Sequence, residues 1–133
     1  MKKNLEVLDT NIIVRFLTND NEEQVKVIEN LFRSSKPKTL YIPDLVIAEI
    51  IYVLQSYYEI PKKDVIAKMN TLVEYDKFFL DSSLIRKSLE IFNLYNISFV
   101  DAYLLALMKQ KDIKKIHTFD KNVLKISNPK PEI

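Results

Sequence analysis

Short apolar runs alternate along the chain with longer stretches in which apolar residues recur every three or four positions. The short runs are typical of strands in a parallel sheet, and the longer stretches are typical of amphipathic helices. The predicted strands are 5–8, 40–42, 78–80 and 116–119. The predicted helices are 11–17, 21–34, 44–57, 61–75, 82–95 and 98–111. This order predicts an α/β fold, with a central parallel sheet flanked by helices.

Residues at the predicted helix starts support these boundaries. Pro61 suits the first position of a helix, and Asp44, Ser82 and Ser98 are of the types that cap helix starts. The chain has no glycine, which excludes glycine-rich phosphate loops. Asparagine tolerates left-handed backbone better than other residues with a Cβ, so Asn96 is the predicted cap at the end of the fifth helix.

The composition indicates one compact domain. A chain of 133 residues that is 47% hydrophobic can bury a core. The absence of cysteine excludes disulfides and thiolate zinc sites. No apolar run has the length of a signal-peptide core or a membrane span. We expect a soluble, cytoplasmic protein with one domain over residues 1–126 and a short tail over 127–133.

Lysines are concentrated near the end of the chain, although the formal net charge is only +2. Two acids, Asp112 and Asp120, accompany seven lysines there, at positions 109, 111, 114, 115, 121, 125 and 130. A basic surface of this kind attracts polyanions. The alternative is a solvated helix end and loop.

Two acids in the first half of the chain lie in unusual contexts. Asp9 directly follows the first predicted strand, at the end where open α/β sheets build their sites, although it is equally suited to cap the next helix. Glu49 interrupts the otherwise almost wholly apolar residues 45–54, so its carboxylate is predicted to lie on an apolar face. Burying a carboxylate is costly unless a cation, hydrogen bonds or a shifted pKa compensate. A structural salt bridge is the alternative for Glu49.

Two more acids follow in the second half. Asp101 is three residues after Ser98, in the first turn of a strongly apolar helix, where it is predicted at the same edge of the sheet as Asp9. A variant of the capping box would also explain it. Asp120 follows the last predicted strand, and an ordinary turn acid is its alternative.

The four acids together, Asp9, Glu49, Asp101 and Asp120, predict a metal site. Carboxylates that lie a few ångströms apart repel one another unless a cation neutralises them. Mg²⁺ and Mn²⁺ favour oxygen ligands, and the chain has no cysteine and a single histidine. A site of this kind can cleave phosphodiester bonds.

Four segments resemble, in order and spacing, the PIN-domain ribonucleases, in particular the VapC-type toxins of toxin–antitoxin pairs. The segments are LEVLDTNIIVRFL, IPDLVIAEIIYVL, SFVDAYLLAL and IHTFDK. The resemblance runs from Leu5 to Val123. It matches Asp9, Glu49 and Asp101 to the three most regular acids of the family, and Asp120 to a more variable fourth. The chain departs from the family in lacking a glycine before the late helix and in its short tail.

The resemblance implies an endoribonuclease that depends on Mg²⁺ or Mn²⁺ and leaves 5′-phosphate and 3′-hydroxyl ends. Asn11 and Thr118 match polar positions that support the acids or metal-bound water. Lys121 and Lys125 are candidates for holding flanking phosphates of RNA. The resemblance also implies a homodimer and a cognate antitoxin that blocks the site.

Three other functions fit parts of the pattern. A phospho-receiver domain needs paired acids after the first strand, whereas this chain has Asp9 alone there. A phosphatase with two aspartates spaced by one residue would need an aspartate where Asn11 stands. A catalytically silent PIN-like module for RNA binding or assembly remains open, because the presence of the acids does not establish metal affinity.

Overall fold

The structure is a computed structural model that describes residues 4–127. The chain divides into an N-terminal unit, Met1–Asp81, and a C-terminal unit, Ser82–Ile133. The elements of the N-terminal unit are β1 Glu6–Val7, α1 Thr10–Thr18, α2 Glu22–Ser34, β2 Leu40–Tyr41, α3 Asp44–Ser56, α4 Lys62–Glu74 and β3 Phe78–Phe79. Those of the C-terminal unit are α5 Ser82–Leu94, α6 Phe99–Lys111 and α7 Lys121–Ser127.

The three strands form one parallel sheet in the order β1-β2-β3. Glu6 pairs with Leu40, and Leu40 pairs with Phe78. Parallel neighbours need a crossover between them, and here two helices connect each strand to the next. The sheet and its helices confirm the predicted α/β class.

The predicted elements agree with the structure except near the end of the chain. Three predicted strands are confirmed, and all six predicted helices are present with ends that differ by no more than one residue. The fourth strand, predicted over 116–119, is wrong, because these residues are described and belong to no strand. Their apolar character suggested burial, yet His117 and Phe119 are exposed. The helix α7 was not predicted.

Helix capping differs in detail from the predictions. Ser98 caps α6 as predicted, with its Oγ accepting a hydrogen bond from the backbone N–H of Asp101 at 3.1 Å. The N-cap of α3 is Pro43, so Asp44 is the first helical residue and not the cap. Pro61 is likewise the N-cap of α4 and not its first residue.

Residues other than glycine occupy the left-handed backbone region. Asn19 and Asp112 end α1 and α6 in this conformation, with φ of 55° and 54°. The other described residues with positive φ are Lys38 and Glu59. Asn96 is not among them, so its predicted role as a left-handed helix cap is wrong. Asparagine therefore fills one of these four positions.

An aromatic cluster lies in the core of the N-terminal unit. The ring centroid of Phe32 on α2 is 5.0 Å from that of Phe16 on α1, 5.1 Å from Phe78 on β3 and 6.0 Å from Tyr75. The Phe16 and Phe78 contacts are edge-to-face, a favoured arrangement of aromatic rings. Phe32 is only 1% exposed. The Phe32 side chain of α2 therefore contacts α1, β3 and Tyr75, the residue that follows α4.

A polar contact joins the end of α1 to the end of α3 in the same unit. The Tyr58 hydroxyl donates a hydrogen bond to Asp20 Oδ2 at 2.8 Å, and Arg15 Nη1 lies 3.8 Å from the same oxygen. The bond to Asp20 raises the pKa of the Tyr58 phenol above its ordinary value, because it stabilises the protonated form. Both charged groups are substantially exposed, so the ion pair adds little stability.

Helices α5 and α6 make up half of the C-terminal unit. The rings of Phe92 and Phe99 pack edge-to-face across them, with centroids 5.7 Å apart. Ser88 is fully buried, and its hydroxyl donates to the carbonyl oxygen of Leu84 at 2.8 Å, which satisfies the buried polar group. Within residues 4–127, no helix is long and apolar enough to cross a membrane.

Phe32→Ala should lower the free energy of unfolding by about 3–5 kcal/mol, because it removes the ring at the centre of the aromatic cluster and leaves a cavity. Urea unfolding followed by circular dichroism measures this change. The matched control is Phe119→Ala, which removes a fully exposed ring and should change stability by no more than about 0.5 kcal/mol. Equal losses in the two variants would contradict this account of the core.

Candidate metal and RNA site

Asp9 is the N-cap of α1 and lies just beyond the carboxyl end of β1. Its backbone is extended, and its side-chain Oδ1 accepts a hydrogen bond from the backbone N–H of Asn11 at 2.7 Å. The residue is exposed. The helix-cap role that the sequence allowed for Asp9 is therefore present. The hydrogen bond from Asn11 occupies Oδ1 of Asp9, and no described residue donates a hydrogen bond to the other carboxylate oxygen.

Glu49 lies on a solvent-exposed face of α3. The residues one turn away on either side, Leu45 and Tyr52, are 82% and 64% exposed, and Glu49 itself is exposed. The face is apolar as predicted, but the expectation of a costly buried carboxylate is wrong. The buried residues of α3 are Ile47, Ile50, Ile51 and Leu54, on the other side of the helix. No ion pair joins Glu49 to another described residue, so the structure gives no support to the salt-bridge alternative.

Asp101 and Asp120 both lie at helix starts in the C-terminal unit. Asp101 is half-buried in the first turn of α6, where its backbone N–H donates to Ser98. Asp120 is exposed, and its Oδ1 accepts hydrogen bonds from the backbone N–H groups of Asn122 at 2.9 Å and Val123 at 3.1 Å. It precedes α7 and follows no strand, because the fourth predicted strand is absent. Helix α7 could have been predicted from the apolar spacing of residues 123, 124 and 126 after an aspartate.

Each of the two predicted supporting residues forms a hydrogen bond with a neighbouring acid, and in both bonds the donor is a backbone N–H. Asn11 donates its own backbone N–H to Asp9. Thr118 acts in the opposite direction, because its Oγ1 accepts from the backbone N–H of Asp120 at 3.0 Å. These bonds hold the backbone at Asp9 and Asp120 in place.

The four acids are distributed over both units. Asp9 and Glu49 belong to the N-terminal unit, and Asp101 and Asp120 belong to the C-terminal unit. Residues 4–127 contain no group of three or more acids or histidines placed to hold a metal ion. The donor set suits Mg²⁺ or Mn²⁺ chemically, since all four side chains offer oxygen ligands. That they converge on one metal stays a prediction.

The described lysines near the end of the chain are exposed to solvent. They are Lys109, Lys111, Lys114, Lys115, Lys121 and Lys125. Lys114 forms an ion pair with Asp112, with Nζ 2.6 Å from Oδ1. Lys121 is the first residue of α7, and Lys125 lies in its last turn. The positive charges of these lysines are therefore available to a polyanion.

Comparison with known proteins identifies the family of this chain. The PIN domain matches residues 7–129, which include all four acids. The chain belongs to the PIN-domain family. This confirms the resemblance that the four sequence segments indicated.

Two known proteins are similar to this chain. A VapC ribonuclease of Aquifex aeolicus (strain VF5) is 26% identical over 125 residues, which cover 92% of each chain. The crystal structure of Mycobacterium tuberculosis VapC20, described as a sarcin-ricin loop cleaving toxin, is 18% identical. That match has a TM-score of 0.42 and covers 90% of this chain and 93% of VapC20.

The role of Asp9 as a helix cap can be separated from its charge. Asparagine caps helices as well as aspartate does, so Asp9→Asn should change the free energy of unfolding by no more than about 0.5 kcal/mol. Asp9→Ala removes the acceptor for Asn11 and should cost about 0.5–2 kcal/mol. Chemical unfolding without divalent ions measures both. A loss in Asp9→Asn as large as that in Asp9→Ala would show that stability depends on the charge and not on the cap.

Proposed function

We propose that this PIN domain is an endoribonuclease that depends on Mg²⁺ or Mn²⁺ and serves as the toxin of a type II toxin–antitoxin pair. The observation that carries the proposal is the family match across residues 7–129, which contains Asp9, Glu49, Asp101 and Asp120. The Aquifex aeolicus VapC ribonuclease adds support, because the similarity covers nearly the whole of both chains.

Asp9, Glu49, Asp101 and Asp120 are the proposed metal ligands. A bound Mg²⁺ or Mn²⁺ would polarise the scissile phosphate and lower the pKa of a water molecule that attacks it. Asp9, Glu49 and Asp120 are exposed, so solvent and a substrate can reach their side chains. Because Asp9 and Asp120 cap helices through Oδ1, their positions are fixed without using both carboxylate oxygens.

The exposed lysines supply the proposed attraction for RNA. Lys121 directly follows Asp120, and Lys125 lies one turn further along α7. Lysine contacts to phosphates give affinity that does not depend on sequence and that weakens as salt increases. These two residues are therefore proposed to hold phosphates that flank the cleaved bond.

A cognate antitoxin protein and a homodimer complete the proposal, and both are supported by the similarity to VapC proteins. An antitoxin would block the acidic site, and the proposed location of the activity is the cytoplasm.

A catalytically silent module for RNA binding or assembly is the second candidate. The observation that favours it is that Asp9 and Asp120 already have a structural role as helix caps. That role explains acids at these two positions without any metal. It does not explain the exposed Glu49 within the apolar face of α3.

Purified protein should cleave RNA in Mg²⁺ or Mn²⁺ and should be inactive in EDTA. Asp9→Asn, Glu49→Gln, Asp101→Asn and Asp120→Asn should each lower the rate by at least about 10- to 100-fold, the loss expected even for a group that only supports a metal ligand. The measurement is a gel assay on labelled transfer, messenger and ribosomal RNA fragments, with mapping of the 5′-phosphate ends.

Glu22→Gln is the matched control, because Glu22 is an exposed acid at the start of α2 with no proposed role in the site. It should cleave at the parent rate. Binding of RNA without cleavage under every metal condition would support the silent module. Cleavage by Asp9→Asn at the parent rate would refute the assignment of the acids.

A further inference from the structure

Phe119 is the most exposed of the seven phenylalanines, with a relative exposure of 104%. Phe32, Phe78, Phe92 and Phe99 are all buried. An exposed apolar side chain is common on protein surfaces, but a whole aromatic ring in water forgoes the stabilisation that burial would give. Its position immediately before Asp120 places this ring next to a proposed site residue.

Hydrogen bonds on both sides of Phe119 hold its backbone in place. On one side, Thr118 Oγ1 accepts from the N–H of Asp120 at 3.0 Å. On the other, Asp120 Oδ1 accepts from Asn122 and Val123, and the Val123 side chain is fully buried. The ring is thus presented to solvent from an ordered segment. An ordered platform loses little conformational entropy when a ligand stacks on it.

The surroundings of the ring are positively charged. Residues 109–125 contain six exposed lysines and two aspartates. Lys115 and Lys121 lie four and two residues from Phe119, so their Cα atoms are within about 14 Å of its Cα even in a fully extended chain. An exposed aromatic ring within a lysine-rich segment is the combination that binds single-stranded nucleic acid, with bases on the ring and phosphates on the lysines.

An anionic membrane surface fits less well. Insertion of an aromatic side chain into a membrane interface is favoured by neighbouring apolar residues. The neighbours of Phe119 along the chain are the polar residues Thr118 and Asp120, so no apolar side chain next to it in sequence would enter the membrane with the ring. The polarity around the ring therefore favours RNA.

We propose that Phe119 is a stacking platform for an unpaired base of single-stranded RNA, with the neighbouring lysines holding the flanking phosphates. The proposal rests on the proposed function, because it takes RNA as the ligand. It adds a physical reason why the protein would select unpaired bases next to Asp120. Bases within a duplex are already stacked on one another, so they are not available to the ring.

Tryptophan at position 119 provides a direct readout, because the chain contains no tryptophan. Phe119→Trp would be combined with Asp9→Asn and measured in EDTA, so that RNA is not cut during the experiment. Stacking of a base on the indole should quench its fluorescence when a mixed-sequence single-stranded RNA is added. Duplex RNA and vesicles with anionic lipids serve as comparison ligands.

Affinity is measured by fluorescence anisotropy of labelled RNA. In the Asp9→Asn background, Phe119→Ala should weaken binding of single strands by about 5- to 150-fold, the range expected for loss of one stacked base. Phe119→Trp should keep the parent affinity, and binding of duplex should change little in either variant. Tyr57→Ala is the matched control, since Tyr57 is a 76% exposed aromatic residue in the N-terminal unit, and it should bind as the parent does.

Parent-like binding by Phe119→Ala would overturn the proposal, as would unquenched fluorescence of Phe119→Trp with saturating RNA. Quenching by vesicles but not by RNA would also overturn it in favour of a membrane contact. Failure of the proposed nuclease activity gives a different result. In that case the parent chain cuts no RNA, while the loss of affinity in Phe119→Ala and the quenching of Phe119→Trp persist.

Discussion

The packing of Phe32 against Phe16, Tyr75 and Phe78 is the interaction on which the N-terminal unit most depends. Each strand of the parallel sheet has only two residues, so the ladder contributes few hydrogen bonds and cannot organise the helices around it. Apolar burial must supply most of the stability, and the aromatic cluster connects elements from both ends of the unit. The carboxyl end of β1, where Asp9 lies, is held in place by this core.

Helix capping positions two of the four candidate acids. The chain leaves β1 and enters α1 at Asp9, and it enters α7 at Asp120, in each case with the carboxylate bonded to backbone N–H groups. An acid at a helix start is favoured by the exposed N–H groups and by the helix dipole. Local stability therefore supports negative charge at two of the positions that the proposed chemistry requires. Glu49 gains nothing of this kind in the middle of α3, where its carboxylate is exposed to solvent.

Much of the fold could be predicted from the sequence, because periodicity reports burial within one element. Six helices and three strands follow from it, and capping residues such as Ser98 locate the ends. The prediction of a strand failed at residues 116–119, because this apolar pattern is not buried. The prediction of a buried Glu49 failed because the sequence pattern does not say which side of an apolar helix faces solvent. The four acids could be identified by resemblance to a family. Convergence of the four acids on one metal ion would depend on contacts distant in sequence, which no local pattern encodes.

Affinity and selectivity place different demands on a surface that binds RNA. Exposed lysines attract any polyanion, because the interaction is with phosphate charge and carries no information on base identity or pairing. A lysine-rich segment alone would therefore bind duplex and single strand alike. Discrimination needs a group that recognises the base itself, and aromatic rings recognise its unstacked face. Within residues 109–125, Phe119 offers a fully exposed phenyl ring. Selectivity for unpaired RNA in this segment would therefore depend on that one side chain.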